Sequence, residues 1–176
     1  MLRLIEKYDI KAAKFINSHF QHKKLDPLMK FFTYLGNLGL LWIGISILFM
    51  LKHESRKTGF VLICSLLMTT ILGEGIIKHI VRRKRPFMKM NICDQLIIGT
   101  PSTYSFPSGH TASSFAAAAV FLAINSSISM IIVLIATLIG LSRIYLKVHY
   151  VSDVVCGALL GLLCGRFTAF LFNVIV

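Results

Sequence analysis

Acidic residues are scarce in this 176-residue chain: seven Asp and Glu stand against nineteen Lys and Arg, a net charge of +12. Charge of either sign is thin, at 15% of residues, and the 56% hydrophobic share exceeds the roughly 45–50% of soluble domains. That combination excludes a disordered tail and argues against a nucleic-acid partner, because the anion met by so apolar a chain is a lipid headgroup or a phosphate. Cysteine is confined to positions 64, 93, 156 and 164, with no CxxC or Cys/His spacing, so neither a zinc site nor a disulfide framework is readable. An apolar leader is missing as well. Arg3, Glu6, Lys7, Asp9, Lys11 and Lys14 stand where a signal peptide needs its hydrophobic stretch, and no cleavable segment is expected. Internal repeats and low-complexity tracts are also lacking, which leaves a single membrane domain, 1–176, made of an N-terminal helix (1–24) and a helical core (25–176).

What the chain has in abundance is apolar runs. Residues 2–22 place Leu2, Ile5, Ala12, Phe15, Ile16 and Phe20 among lysines, a pattern too charged to cross a bilayer and suited to an interfacial amphipathic helix. Asp26-Pro27 reads as an N-cap followed by a proline at the first helical position, opening an apolar run over 28–51. A second run covers 59–77, near the roughly 20 residues a bilayer requires, and carries one charge, Glu74. Three more follow at about 109–124, 128–146 and 151–172. The expected fold is all-α, a polytopic bundle of five membrane helices plus the interfacial helix. Its one long polar connection, 78–107, holds a basic run and prolines 86, 101 and 107, the signature of a functional loop. Threading the chain through those spans puts the N-terminal segment, this loop and the 143–150 turn on one face.

Three clusters on that face carry chemistry. Lys78-His79-Ile80-Val81-Arg82-Arg83-Lys84-Arg85-Pro86 sets Lys78 and Arg85 seven apart, two turns along one helical face if the helix continues, so that both can hold one anion. Arg82, Arg83 and Lys84 read as a juxtamembrane cluster facing anionic lipid. Pro107-Ser108-Gly109-His110 precedes an apolar helix, so Ser108 can cap it, Gly109 admits a close backbone approach, and free amides with His110 face a bound phosphate. Ser142-Arg143 and His149-x3-Asp153 place a carboxylate one turn from an imidazole, which fixes its tautomer and frees its other nitrogen to attack. Singly, each cluster has an ordinary alternative: a lipid-facing basic patch, a capped helix with a headgroup-level histidine, a structural His–Asp hydrogen bond.

Together and in this order, Lys78-x6-Arg85-Pro86, Pro107-Ser108-Gly109-His110 and Ser142-Arg143-x5-His149-x3-Asp153 resemble the three-part signature of the type 2 phosphatidic acid phosphatases, or lipid phosphate phosphatases. The resemblance covers about residues 25–172. Soluble vanadium haloperoxidases share the signature but lack membrane spans. The resemblance implies a metal-independent, cofactor-free phosphoryl transfer. In it His149 attacks phosphorus, Asp153 holds His149, and His110 moves the proton, while Lys78, Arg85, Ser108, Gly109 and Arg143 bind the phosphate oxygens. Small members of the family are most similar to bacterial undecaprenyl-diphosphate phosphatases, with phosphatidylglycerophosphate, phosphatidate and lipid A 1-phosphate as competing substrates. They imply an inner-membrane protein with an extracytoplasmic site. Charge counting points the other way, since fifteen of the nineteen Lys and Arg fall on the site face.

Beyond the signature, Glu74 lies four residues before Lys78 and can pair with it and aim it; satisfaction by hydroxyls such as Thr69 or Thr70 is the alternative. A non-catalytic lipid-phosphate binder or transporter would need the cations but no oriented nucleophile. A channel would line several spans with polar groups, whereas Glu74 and Asp153 are the charges within span interiors.

Overall fold

In lipid an apolar backbone segment must satisfy its own amides and carbonyls, and a helix does so within one segment. The computed structural model, which describes residues 2–90 and 96–173, is helical throughout, with no strand among the described residues. Its helices are α1 (Leu2–Phe20), α2 (Asp26–Leu35), α3 (Leu40–Leu51), α4 (Arg56–Thr70), α5 (Lys78–Val81), α6 (Pro86–Lys89), α7 (Gly109–Ala123), α8 (Ser129–Tyr145) and α9 (Val151–Leu171), and a π-helical turn, Ile71–Ile77, joins α4 to α5. Cys93 lies outside the described residues.

By length and composition, His53–Lys89 and Val151–Leu171 can each cross a membrane, and the bent pair Asp26–Leu35 with Asn37–Leu51 makes a third span. Gly109–Ala123 and Ser129–Tyr145 are apolar but shorter. Large apolar side chains such as Leu51, Leu67, Met130, Leu163 and Phe170 are well exposed, as a surface solvated by acyl chains requires. Inside, Trp42, Val61, Leu62, Phe121 and Ile139 are fully buried, and the Trp42 indole N–H donates to Ser114 Oγ at 3.0 Å.

The first apolar run is not one straight helix. It bends by 43° where Leu38 (φ 52°) and Gly39 (φ 67°) adopt left-handed backbone, which breaks the helical hydrogen-bond ladder between α2 and α3. Its start also differs from expectation: Asp26 is the first helical residue rather than the cap, and its carboxylate accepts from the Tyr145 hydroxyl at 2.6 Å. Nor does the second run continue as a helix to Arg85. It ends at Arg82, whose φ of 48° turns the chain, and Arg85 sits in extended backbone ahead of Pro86.

The site is organised by α7 against α9, the most extensive helix pair. Gly157, Gly161 and Gly165 recur every four residues on α9 and meet Ser108, Ala112 and Ala116 of the facing chain. A Cβ at 157 would stand 2.7 Å from the Ser108 carbonyl, and one at 161 would collide with the Ala112 carbonyl. Small residues let two backbones approach where lipid supplies no hydrophobic drive. Gly161→Ala is therefore expected to cost about 2 kcal/mol by overpacking, read as a melting temperature roughly 6 °C lower in detergent. Gly44→Ala, at a position inside α3 with open space around it, is the control in which melting does not fall.

Candidate active site

The three sequence clusters converge at the end of the bundle where α5 and α8 end and α7 and α9 begin. The Ser108 amide donates to the Asp153 carbonyl at 3.0 Å, tying the second cluster to the third through backbone. The His149 amide donates to the Arg143 carbonyl at 3.2 Å, which folds the 146–150 turn back on α8. Arg85 closes the set: its Nη1 donates to the Val148 carbonyl at 2.9 Å and reaches His149 Nε2 at 3.2 Å, while Nε donates to the Thr103 carbonyl at 2.7 Å. Lys78 shares the Thr103 hydroxyl with Arg85, at 3.5 and 3.1 Å.

A guanidinium donates and never accepts. His149 Nε2 must therefore present its lone pair to Arg85, and the ring proton belongs on Nδ1, which faces Asp153 Oδ2 at 3.6 Å. Burial drives the His149 imidazole well below its ordinary pKa, and the charges of Arg85, Arg143 and Lys78 push the same way. His149 is thus a buried base held toward its neutral form, with its Nε2 lone pair directed at Arg85 among the cations, an arrangement a nitrogen nucleophile can use.

Asp153 is fully buried and surrounded by donors: Arg83 Nη1 to Oδ1 at 2.6 Å, the Tyr150 amide to Oδ2 at 2.8 Å, and the Ser105 hydroxyl to Oδ2. His110 Nε2 donates to Asn37 Oδ1 at 2.8 Å, so the break between α2 and α3 delivers the side chain that orients this histidine. Gly36 leaves room for the ring, since a Cβ there would stand 2.9 Å from His110 Cδ2. Arg143 is buried, donating through Nη1 to the Thr33 hydroxyl, and its Nε is without a partner among the described residues.

Ser108 and Gly109 occupy the expected place with different contacts. Ser108 is the N-cap residue of α7, yet its hydroxyl caps no amide and accepts from Thr111 Oγ1 at 2.9 Å. The α-carbon of Gly109 carries the Glu74 carboxylate packed against it. Glu74 takes Lys78 Nζ on both oxygens, at 2.6 and 2.7 Å, while Thr69 gives its hydroxyl to the Ser65 carbonyl. The pairing alternative to a hydroxyl-satisfied carboxylate is the one the geometry adopts.

Sequence reasoning left Arg83 on the lipid-facing patch, and the structure corrects this. Arg82 and Lys84 are exposed, whereas the Arg83 side chain is 14% exposed and engages Asp9 and Asp153. Pro86 accounts for the extended backbone of Arg85, whereas nothing in the sequence marked Arg83 as turned inward. Asn37, Thr33, Thr103 and Ser105 had no signal either.

Between the π-helical turn and residues 102–104 a cavity of about 710 Å³ opens beside the cations, lined by Ile71, Glu74, Gly75, Lys78, Thr103 and Tyr104 among others.

A family model described as the PAP2 superfamily matches residues 58–174. An undecaprenyl-diphosphatase of Sulfolobus acidocaldarius is 32% identical over 155 residues, spanning 88% of this chain and 73% of that protein. Among solved structures, LpxE of Aquifex aeolicus superposes with a TM-score of 0.75 at 32% identity, covering 91% of this chain and 93% of its own. A PAP2-type phosphatidylglycerolphosphate phosphatase of Bacillus subtilis shares the fold, with a TM-score of 0.79 at 23% identity, over 97% of this chain and 87% of that one.

Proposed function

The chain belongs to the PAP2 superfamily, and from that premise we propose that it hydrolyses undecaprenyl diphosphate to undecaprenyl phosphate through a phosphohistidine on His149. The observation that carries the phosphate reading is the state of Arg85 and Arg143. Both guanidiniums are buried, and among the described residues both are bonded to neutral groups alone. Two buried charges without a carboxylate partner are costly unless an anion completes them, and a phosphate with its fork-matched oxygens is that anion.

In this reading His149 Nε2 attacks the terminal phosphorus, and the bond to the bridging oxygen breaks. His110 keeps its Nε2 proton on Asn37; protonated at Nδ1 when the substrate anion is bound, it gives that proton to the departing oxygen, then at Nδ1 takes one from the water that attacks the phosphohistidine and releases inorganic phosphate. Lys78, Arg85, Arg143 and the amide of Gly109 stabilise the charge on the non-bridging oxygens. The lipid tail follows the cavity along Ile71 and Gly75 into the bilayer, so the substrate is a lipid whose phosphate sits at headgroup depth.

The architecture that goes with this is five membrane-crossing segments, with α7 and α8 crossing a locally thin, protein-lined region, and α1 on the surface with Ile5, Tyr8 and Phe15 turned outward. Together they form one domain of a bacterial inner membrane, with the site on the extracytoplasmic face. Lys78, Arg83, Arg85 and Arg143 are engaged in the site, which still leaves eleven Lys and Arg on that face against four on the other, so the orientation rests on the resemblance to the family and not on the count of charges.

The test is phosphate release by detergent-purified protein in excess EDTA, across undecaprenyl diphosphate, phosphatidylglycerophosphate, phosphatidate and a lipid A phosphate. EDTA-resistant release fastest from undecaprenyl diphosphate is expected; preference for another lipid replaces the substrate, and silence on all four removes the enzyme reading. Glu74→Gln is expected to raise KM about tenfold, the loss of one charge-assisted hydrogen bond to Lys78. An unchanged KM in a folded protein removes the orienting role of Glu74.

A further inference from the structure

Helix α1 is rich in lysine, yet its Asp9 is buried, at 5% exposure. That carboxylate accepts from Arg83 Nη2 at 2.7 Å, from the Ser152 amide at 3.1 Å and from the Ser152 hydroxyl at 2.5 Å. The other arm of the same guanidinium, Nη1, donates to Asp153 Oδ1 at 2.6 Å and to Ser152 Oγ at 2.7 Å. Its plane lies over the Tyr150 ring, 4.1 Å from the centroid. The main chain of Arg83 reinforces the link, since its carbonyl accepts from the Ser105 amide at 2.9 Å and the Ser105 hydroxyl binds Asp153 Oδ2. One arginine therefore bridges two carboxylates, one on the N-terminal helix and one beside His149.

The division of the two arms matters. An arginine free to choose binds a carboxylate fork-on-fork, with two parallel hydrogen bonds. Asp9 holds Nη2, so Arg83 can give Asp153 only Nη1, on Oδ1. Oδ2 is left for the Tyr150 amide, the Ser105 hydroxyl and the Nδ1 side of His149. Without Asp9, Arg83 can swing onto both oxygens of Asp153 and turn Oδ2 away from His149.

The geometry points to Asp9 as a positioning residue of the active site, acting through Arg83 to hold Asp153 against His149, so that helix α1 is a working part of the catalytic apparatus and not only a surface anchor. This rests on the reading of His149 as nucleophile with Asp153 as its partner. No catalytic step is assigned to Asp9, which touches neither His149 nor the phosphate cradle.

The experiment measures kcat and KM for phosphate release from undecaprenyl diphosphate by the full-length chain, with Asp9→Asn, Asp9→Glu, Arg83→Lys and the Asp9→Asn/Arg83→Lys double variant beside wild type and His149→Ala. A positioning role predicts that Asp9→Asn lowers kcat by about ten- to a hundredfold with KM unchanged. Asp9→Glu recovers most of the loss, because the carboxylate is restored. Arg83→Lys falls as far as Asp9→Asn, since an ammonium cannot span two carboxylates with a planar fork, and the double variant falls no further than the deeper single one. Full kcat in Asp9→Asn, or additive losses in the double variant, overturns the inference. So does a loss that disappears when rates are expressed per active site titrated by phosphohistidine burst, because that marks unfolding alone. A silent wild type overturns the proposed function itself, whereas an active wild type, a dead His149→Ala and an unimpaired Asp9→Asn overturn this inference only.

Discussion

His149→Ala is expected to lower turnover by about four orders of magnitude or more while lipid binding stays close to that of the wild type. In the proposed mechanism the His149 Nε2 lone pair, directed at Arg85 Nη1 at 3.2 Å, forms the bond to phosphorus, so the substitution removes the bond-forming atom. The groups proposed to bind phosphate stay in place. Arg85 loses the acceptor at His149 Nε2 but keeps the carbonyls of Thr103, Tyr104 and Val148 and the Thr103 hydroxyl. Arg143 keeps Thr33, and Lys78 keeps Glu74. The measurement pairs steady-state phosphate release with binding of a lipid phosphate and with rapid quenching of a labelled substrate. An enzyme shows a burst of protein-bound phosphate that the variant lacks. A binder or transporter shows no release before the substitution and none after, so a wild type without turnover settles the choice against the enzyme.

Much of this architecture is visible in the chain without coordinates, for identifiable reasons. Apolar runs near the length of a bilayer are readable because lipid forces the backbone into helices, and the three clusters are readable because each sits at a run's end, where polar residues are otherwise expensive. Their convergence follows from threading: successive crossings return the chain to the same end. The structure realises this with the Ser108 amide on the Asp153 carbonyl and with the His22 carbonyl and Asp26 carboxylate on the Tyr145 hydroxyl. The four-residue spacing of Gly157, Gly161 and Gly165 was equally readable as a close-packing stripe, although locating spans by hydropathy passes over it.

What hydropathy cannot reveal is backbone that departs from the helix inside an apolar run. Leu38 takes a left-handed conformation that its residue type disfavours, and it does so beside Gly39 so that Asn37 can reach His110. The spacing argument that put Lys78 and Arg85 on one helical face fails for the same reason. Both arrive at Thr103, but Arg85 does so through a turn at Arg82 and an extended segment. The expectation reached the right neighbours by a path the chain does not take. Asp9 was invisible for a different reason: a lone carboxylate among surface lysines looks solvated until tertiary structure brings Arg83 and Ser152 to it.

Asp153→Asn is expected to lower kcat by about three to four orders of magnitude, with KM within a few-fold of wild type. Every group around this side chain is a donor toward it: Arg83 on Oδ1, and the Ser105 hydroxyl, the Tyr150 amide and the Nδ1 side of His149 around Oδ2. A carboxylate accepts from Arg83, Ser105 and Tyr150 and faces His149 Nδ1 at 3.6 Å, whereas a carboxamide offers one accepting atom and one donating group. With its NH2 toward Arg83, it sets donor against donor beside a guanidinium that now has Asp9 as its remaining acid. With its NH2 on the other side, it opposes the Tyr150 N–H and drives the His149 proton from Nδ1 to Nε2. That second arrangement puts an N–H where the attacking lone pair must be and points it at Arg85 Nη1. Either way a buried donor is left unsatisfied at a cost of about 1–3 kcal/mol, so the melting temperature falls as well. The proposed phosphate cradle of Lys78, Arg85 and Arg143 is untouched, which is why substrate affinity should hold while turnover collapses. Asp153→Ala separates the two contributions: lacking the misplaced NH2, it should be no slower than the asparagine variant despite removing more of the side chain. An asparagine variant within tenfold of wild-type kcat would show that Asp153 is a structural acid and that His149 is oriented by Arg85 alone.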